Sequence, residues 1–551
     1  MKKIVALLLA SILLLSLCAC GTTEKEAEAP APEATEEAAA PAGTAETGTD
    51  APETAEKAGE PVATSLTFGV PGPIGTYLYG NNASSCDQLI FLVFDPIVYT
   101  DPVTYEYTSD IADFSYQDDY TLVMKIKDGV TFTNGEPLTG EDLLFTIQSE
   151  VSAERASRNA SKLAIFNLEK SYVGDDGMTV YLVTDDVEAS ALANLAVPVL
   201  CKSWVEENGW DGEAWYYSPN GTGPYTVKEN VTGVSSTVVQ KPEVAEGTYW
   251  NQDFHSDILE FTGIHYDDKS VMFIDAENGD IDMAFQIDSV DYARIENEGI
   301  DTITGVLLPY DDVQMLTFDI DDGPTMDENL RAAIAYGVNW DDVAIAAWED
   351  YGKPATSILA STMGDMYRNV GQYEYDPELA KEYADKVTGS KEVEICIFTD
   401  NLYVQECEVI RAYLEQIGIS LTTTVTDMAT FFAGTSAGDG DLHFSRYPNG
   451  NSAHEPYLAL GNFEPTSTLP NMNLQSDAEI CQLLADARHT LDTSKRAELY
   501  GEVQQYMKDH FYAVPIAEVY GAYVYNNTRW AGADIISPNA ANLRFVYCLY
   551  Q

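Results

Sequence analysis

The chain has 551 residues, of which 89 are acidic and 29 are basic, so its formal net charge is −60 at pH 7. Nucleic-acid phosphates are contacted by clustered Lys and Arg side chains, so this charge argues against nucleic acids and other polyanionic partners. The acidic excess is typical of a soluble, exposed protein and does not by itself indicate a cationic ligand.

The first residues predict export. Two lysines precede an apolar run over residues 4–17, which is shorter than the roughly 20 residues of a membrane-spanning helix. The run ends in Leu17-Cys18-Ala19-Cys20, which resembles the bacterial lipobox, where small residues precede a Cys that is diacylated. We predict a lipoprotein signal peptide over residues 1–19 and a lipid anchor at Cys20. An ordinary signal peptide is the alternative.

Residues 20–61 predict a flexible tether. Ala, Pro, Glu, Thr and Gly dominate after Cys20, and no aromatic residue occurs up to Pro61. Such a segment buries too little apolar surface to offset the entropy of ordering, and its charges and prolines favour extended conformations. Because two acyl chains hold a protein firmly on a bilayer, we expect a cell-membrane protein on the extracytoplasmic face, periplasmic if the host has an outer membrane.

The mature region, from Val62 to Gln551, is long for one domain and alternates strand and helix patterns. Short β-branched or aromatic runs predict strands over residues 66–70, 121–126, 179–183 and 392–398. Helical spacing predicts helices over residues 140–149, 326–338, 377–387, 403–417 and 495–510. Residues 100–200 are richer in strands, whereas residues 326–515 predict an α/β unit with a largely parallel sheet.

Catalytic and metal patterns are weak. Gly434-Thr435-Ser436-Ala437-Gly438 matches the G-x-S-x-G pattern of serine hydrolases, which needs a strand before the serine and a helix after it. Here the expected order is inverted, so a lipid-anchored hydrolase using Ser436 stays only as an alternative. His443 and His454 lie close in sequence but form an incomplete metal site. We therefore predict no catalytic residues, no metal and no cofactor.

Eight motifs occur in the same order as in one known family. They lie at residues 92–98, 119–147, 221–225 (GTGPY), 249–251 (YWN), 279–282 (GDID), 316–319 (LTFD), 330–339 (LRAAIAYGVN) and 375–381 (YDPELAK). Together they resemble the family 5 extracellular solute-binding proteins of ABC importers, the oligopeptide, dipeptide and nickel-binding class. The motifs themselves are scaffold: Gly129 and Gly135 suit turns with positive φ, and Thr139 suits a helix cap.

The resemblance implies an α/β, periplasmic-binding-protein-like fold with two lobes, a hinge and an extra subdomain inserted in the first lobe. We place lobe I at residues 62–100, 205–310 and 518–551, the inserted subdomain at 100–205 and lobe II at 311–517. The chain is expected to cross the hinge near residues 316–320 and to return near 514–519.

The implied function is a substrate-binding lipoprotein. It would capture an extracellular solute by hinge closure and deliver it, as a monomer, to a membrane permease without covalent chemistry.

The candidate ligand residues lie after a turn that matches the family at residues 438–441. In peptide-binding relatives an Asp in the following loop binds the peptide's α-ammonium group, but residues 448–454 contain no Asp, and a buried ammonium without a carboxylate is costly. Arg446 can pair with a ligand carboxylate, with a salt bridge as the alternative. The predicted ligand-binding residues are Tyr77, Tyr79, Arg446, Tyr447, Asn449, Asn451 and His454, the first two as aromatic walls unless they serve ordinary packing. A peptide is favoured over an oligosaccharide or a metal chelate.

Overall fold

The computed structural model describes residues 61–80, 87–101, 106–157, 159–348, 352–398, 401–427, 430–431, 439–446, 455–465, 474–531, 543 and 547–548. The predictions for the signal peptide, Cys20, the tether, Ser436, Tyr447, Asn449, Asn451 and His454 lie outside these residues. Everything described below belongs to the unit Ala58–Gln551.

A mixed sheet of eleven strands runs through the described part of this unit. Its spatial order is β15 (Ser420–Thr426), β14 (Glu392–Phe398), β16 (Leu442–Ser445), β12 (Ile303–Phe318), β17 (Ala513–Asn526), β11 (Met283–Phe285), β1 (Ser65–Val70), β10 (Glu260–His265), β9 (Ser235–Gln240) and β8 (Tyr225–Val231), and β13 (Gly352–Pro354) pairs with β17. The pairs β14–β15, β14–β16, β1–β10 and β1–β11 are parallel. The long pair β12–β17 is antiparallel.

The other strands form smaller sheets. A four-stranded antiparallel sheet has the order β4 (Ala112–Asp118), β5 (Thr121–Ile126), β7 (Thr179–Val183) and β6 (Tyr172–Val173). Two-stranded pairs join β2 (Tyr99–Thr100) to β3 (Tyr107–Thr108) and β18 (Trp530–Ala531) to β19 (Tyr547–Cys548).

The helices surround these sheets. They are α1 (Asp87–Val93), α2 (Gly140–Glu150), α3 (Ala160–Leu163), α4 (Ala191–Asn194), α5 (Lys202–Asn208), α6 (Ala214–Tyr217), α7 (Pro242–Glu246), α8 (Lys269–Asn278), α9 (Ser289–Glu298), α10 (Glu328–Gly337), α11 (Trp340–Trp348), α12 (Pro377–Ala384), α13 (Asn401–Leu414), α14 (Tyr457–Leu460), α15 (Ala478–Arg488) and α16 (Thr493–Asp509). Short 3-10 turns cover Pro324–Met326, Ser361–Met366, Glu415–Ile417 and Gly461–Phe463. None of the helices in the described ranges has both the length and the apolar character that crossing a bilayer requires.

Buried apolar side chains of the described residues form four clusters. One lies among residues 313–519, and a second among residues 97–201 around the four-stranded sheet. The third joins residues 63–94, 200–306 and 523–543, and the fourth lies beside it, among residues 272–303 and 522–524. Parts of a chain that move as separate rigid bodies each need an apolar core of their own.

Local chemistry explains where the predicted helices begin and end. Asp142 accepts hydrogen bonds from the N–H and the hydroxyl of Thr139, which fixes the start of α2 as predicted. The predicted helix over 495–510 begins two residues earlier, and its cap is Asp492, whose Oδ1 accepts from the Lys495 N–H (2.8 Å). The predicted helix over 377–387 ends at Ala384, and the Lys386 and Val387 N–H groups that follow donate to carbonyls three residues back.

Two of the sequence motifs contact each other. A Cβ on Gly221 would lie 2.1 Å from the Val93 carbonyl oxygen, so this motif needs glycine to approach the end of α1. The Thr222 carbonyl then accepts hydrogen bonds from the Tyr249 hydroxyl (2.8 Å) and the Trp250 Nε1–H (2.9 Å). The GTGPY and YWN motifs therefore build scaffold.

Candidate functional site

The site is organised by a break in the long β12–β17 pair. Pairing holds from Ile303 to Pro309 and resumes at Val313, so residues 310–312 of β12 oppose the single residue Val519 of β17. Before the break, β12 contributes to the apolar cluster of residues 272–303, and after it to the cluster of residues 313–519. The break therefore lies where the chain passes from one core to another.

A buried ion pair lies at this break. The Arg446 Nε is 2.6 Å from the Asp312 Oδ2, and the Arg446 guanidinium lies over the Trp348 ring at 5.1 Å from its centroid. The Asp312 side chain is completely buried, whereas 28% of the Arg446 side chain is exposed. Arg446 follows directly after β16, the strand that pairs with β12, so the sheet itself brings the two residues together. Arg446 is thus a charged group held by a buried carboxylate and an aromatic face.

A second buried carboxylate lies nearby in the fold. Gln314, two residues after Asp312 on β12, donates from its Nε2 to the Glu406 Oε2 of α13 (3.2 Å), and both side chains are fully buried. Buried acids require charged or hydrogen-bonding partners. Two buried polar pairs, Asp312–Arg446 and Gln314–Glu406, therefore lie along β12 at and just after its break, and Arg446 is the partly exposed member of these pairs.

His443 is a buried and uncharged residue beside this site. It lies on β16, where burial lowers its pKa to about 4 although its Nε2 contacts the Gly440 carbonyl oxygen (3.1 Å). The imidazole is therefore neutral at physiological pH. Within the described ranges no three His, Cys, Asp or Glu side chains are grouped so as to hold a metal ion.

The two predicted tyrosines belong to a different apolar cluster from Trp348, the residue on which Arg446 lies. Tyr77 is buried in the apolar cluster that includes residues 63–94, and its hydroxyl contacts the Ser236 Oγ (2.9 Å). Tyr79 is half-buried at the edge of the same cluster, and its ring lies 5.3 Å from that of Phe91. The placement of Tyr77 agrees with ordinary packing, and a ligand contact for either tyrosine stays a prediction.

Sequence reasoning found Arg446 but missed Asp312, Gln314 and Glu406. Asp312 stands in an acidic pair among many acids, which offers no distinguishing signal. Glu406 carries a weak signal, because it occupies a fully buried position of a helix whose neighbour Cys407 is also buried. A charged residue at a core position of an amphipathic helix is unusual without a function or a partner.

A family comparison agrees with this architecture. The model of the bacterial extracellular solute-binding proteins, family 5 Middle, matches residues 107–467, which is more than half of the chain. The matched range includes the four-stranded sheet, the β12 break, Glu406 and Arg446.

Individual proteins give the same picture. The chain is 23% identical over 417 residues to the dipeptide-binding protein of Escherichia coli (strain K12), covering 72% of this chain and 76% of that protein. It is similar in structure to a putative peptide binding protein AppA from Clostridium difficile, with a TM-score of 0.75, 19% identity and coverage of 88% of this chain and 100% of that one. NikA from Brucella suis, solved in complex with Fe(III)-EDTA, matches with a TM-score of 0.73, 16% identity and coverage of 88% and 99%. These matches confirm the predicted two-lobed, periplasmic-binding-protein-like α/β fold.

Proposed function

The chain belongs to the bacterial extracellular solute-binding proteins of family 5, and we propose that it captures a peptide between its lobes and delivers it to the permease of an ABC importer. The observation that carries the choice of a peptide is the partly exposed Arg446 guanidinium, which Asp312 and the Trp348 ring hold in place. Its exposed part can bind a peptide's carboxylate, while Asp312 keeps the guanidinium paired when no peptide is bound. The names of the dipeptide-binding and peptide-binding relatives support this choice.

The lobe boundaries given above, 62–100, 205–310 and 518–551 for lobe I, 100–205 for the inserted subdomain and 311–517 for lobe II, form part of this proposal. The separate apolar clusters and the β12 break support them. The hinge is then the passage of β12 and β17, and closure about it encloses the solute. Binding shifts the equilibrium towards the closed form, which we expect the permease to recognise.

A thermal-shift screen tests the choice of solute. The full mature chain is heated with di- to hexapeptides, with oligosaccharides and with nickel–histidine, because ligands that bind only the folded protein raise its Tm. We expect peptides to raise the Tm and Arg446→Ala to reduce the shift. Arg294→Ala is the matched control, since Arg294 is also 28% exposed and pairs with Glu277, Asp291 and Glu298 rather than with Asp312.

Other results of the screen would contradict the peptide or the transport function. Stabilisation by a sugar alone, unchanged in Arg446→Ala, contradicts both the peptide and the role of Arg446. Stabilisation by nickel–histidine alone replaces the peptide with a metal chelate. Peptide turnover that is lost in Ser436→Ala would replace transport by hydrolysis.

The membrane attachment through Cys20 is proposed on the sequence pattern alone. We expect the protein in its host, or in a bacterial expression strain with lipoprotein processing, to fractionate with membranes and to incorporate labelled palmitate. Cys20→Ala should abolish both, whereas Cys201→Ala, which removes a buried cysteine of the mature domain, should change neither. Incorporation of label into Cys20→Ala would contradict the anchor assignment.

A further inference from the structure

Arg488 forms a dense cluster outside the site already described. Arg488, the last residue of α15, makes a two-pronged contact with Glu188, from Nε to Oε2 and from Nη2 to Oε1, each 2.9 Å long. Its Nη1 is 2.7 Å from the Glu464 Oε2, and its guanidinium lies over the Tyr457 ring at 4.3 Å. We call Glu188, Arg488, Glu464 and Tyr457 the Arg488 cluster.

The cluster joins two bodies that have separate cores. Arg488, Glu464 and Tyr457 lie in the region whose buried apolar side chains are among residues 313–519. Glu188 follows β7 of the four-stranded sheet, whose core is among residues 97–201. The Ala189 N–H also donates to the Arg488 carbonyl oxygen (3.2 Å), so both side chains and backbone cross this boundary.

The charges of the cluster are well matched. Relative exposures of the side chains are 15% for Arg488, 6% for Glu188 and 8% for Glu464, so water screens them little. Burial opposes the charge of Arg488, but its hydrogen bond to Glu188 and the nearby Glu464 raise its pKa above the usual value. Burial raises the pKa of Glu464, and Arg488 opposes that shift. Two-pronged Arg–carboxylate contacts are geometrically specific, so they form only when the two bodies are correctly docked.

Charges of the two bodies also influence each other beside β4. Tyr116 on β4 is 40% exposed, and its pKa is raised to about 12 by partial burial, with Arg496 of the other body opposing the shift and Glu455 adding to it. Direct contacts across the boundary include those of the Arg488 cluster and of the Ala189 N–H.

The Arg488 cluster joins parts of the protein that are far apart in the sequence. Lobe I, which carries the inserted subdomain, is linked covalently to lobe II through β12 and β17, and the Arg488 cluster links the subdomain to lobe II through residues 300 positions apart. A movement about the β12 break that separates the inserted subdomain from lobe II must therefore break the Arg488–Glu188 contact.

We propose that the Arg488 cluster is a latch between the inserted subdomain and lobe II that favours the closed form of the protein in its equilibrium with the open form. The inference rests on the proposed function only in that the lobes move. Arg488 and Glu464 belong to the same body, so on opening Glu464 keeps neutralising the arginine while Glu188 returns to water. Glu188 is therefore the residue that switches partner, and its substitution favours the open form without leaving Arg488 alone.

Hydrogen exchange and scattering of the ligand-free protein test the latch directly. In the full mature chain, Glu188→Gln should raise the exchange rate of the Ala189 amide about tenfold, because a lost hydrogen bond to a charged group favours opening by roughly that factor. The radius of gyration should increase in the same variant. Glu277→Gln is the matched control, since Glu277 pairs with Arg294 within one body, from α8 to α9 (3.1 Å), and neither readout should change.

A double-mutant cycle separates the latch from local damage. Adding Glu188→Gln to Arg488→Gln should change the exchange rate little beyond that of Arg488→Gln alone, because Arg488→Gln has already removed the contact with Glu188. Faster exchange at Ala189 with an unchanged radius of gyration would overturn the latch. These readouts need no solute, so a failed solute screen would contradict the proposed function and leave this result standing.

Discussion

Two buried arginines in this protein have similar surroundings and different consequences. Arg155 pairs with Glu150 (2.7 Å, both side chains 1% exposed) and lies over Trp210, much as Arg488 pairs with Glu188 and lies over Tyr457. Arg155 and Glu150 are five residues apart in one subdomain, whereas Arg488 and Glu188 are 300 apart and join two bodies. A buried arginine–glutamate pair stabilises the folded state when both residues belong to one rigid body. When the two residues belong to bodies that can separate, the same kind of pair stabilises one conformation of the folded protein.

The largest expected effect comes from breaking the pair within one subdomain. Arg155→Ala leaves Glu150 buried without its cation, and losing one partner of a buried pair costs about 3–5 kcal/mol. Arg155 also donates to the Tyr79 carbonyl oxygen, so the chain near Gly80 loses support as well. Urea denaturation measures the free energy of unfolding, and Lys170→Ala, which breaks an exposed pair with Asp185, should cost under about 1 kcal/mol. Equal costs would remove the distinction between buried and exposed pairs.

The next effect concerns the pair at the β12 break. Arg446→Ala leaves the completely buried Asp312 without its cation, but Arg446 is partly exposed, so we expect a loss of about 2–3 kcal/mol. Arg446→Lys should recover only part of it, because an ammonium does not stack on Trp348 as a guanidinium does. Full recovery by lysine in urea denaturation would show that the planar group is unimportant.

A pH dependence follows from His443. Burial lowers its pKa to about 4 in the folded protein from an ordinary value of 6.5, so the unfolded chain binds a proton in this window and the folded protein does not. Its contribution to the free energy of unfolding therefore falls as the pH decreases from 6.5 towards 4. His443→Gln should reduce the loss of stability between pH 6.5 and 5 by about 2 kcal/mol. The same measurement on His255→Gln, which changes an exposed histidine, should match the wild type.

The smallest effect on stability is expected at the Arg488 cluster. Glu188→Gln should lower the free energy of unfolding by only about 1 kcal/mol, because Arg488 keeps Glu464 and the open form rehydrates the contact. A small loss in Glu188→Gln beside a large loss in Arg155→Ala would show that the Arg488–Glu188 pair stabilises one conformation, whereas the Arg155–Glu150 pair stabilises the folded state. A loss as large as that of Arg155→Ala would instead make the Arg488 cluster part of the fold.

Local patterns were sufficient for most of the scaffold. The strands Thr121–Ile126, Thr179–Val183 and Glu392–Phe398 have the bounds expected from their β-branched and aromatic composition. Helix starts depended on short capping contacts, and the one at Thr139 was predictable. At α16 the cap is Asp492, although the adjacent Thr493 also carries a side chain suited to capping.

The functional contacts were less predictable, because they join distant parts of the chain. Arg446 and Asp312 are 134 residues apart, and Arg488 and Glu188 are 300 apart. With 89 acidic residues in the chain, no local pattern distinguishes the carboxylates that meet an arginine from those that face water. Only the register of β12 with β16 and the docking of the two bodies select them.

Small-angle scattering with and without solute tests the central claim most directly. The mature chain is measured alone and with a saturating excess of the solute that raises its Tm most in the screen. Closure about the β12 break predicts a smaller radius of gyration and a shorter maximum dimension with solute, and Arg446→Ala should require more solute for the same change. Identical profiles at saturation would contradict the hinge-closing mechanism.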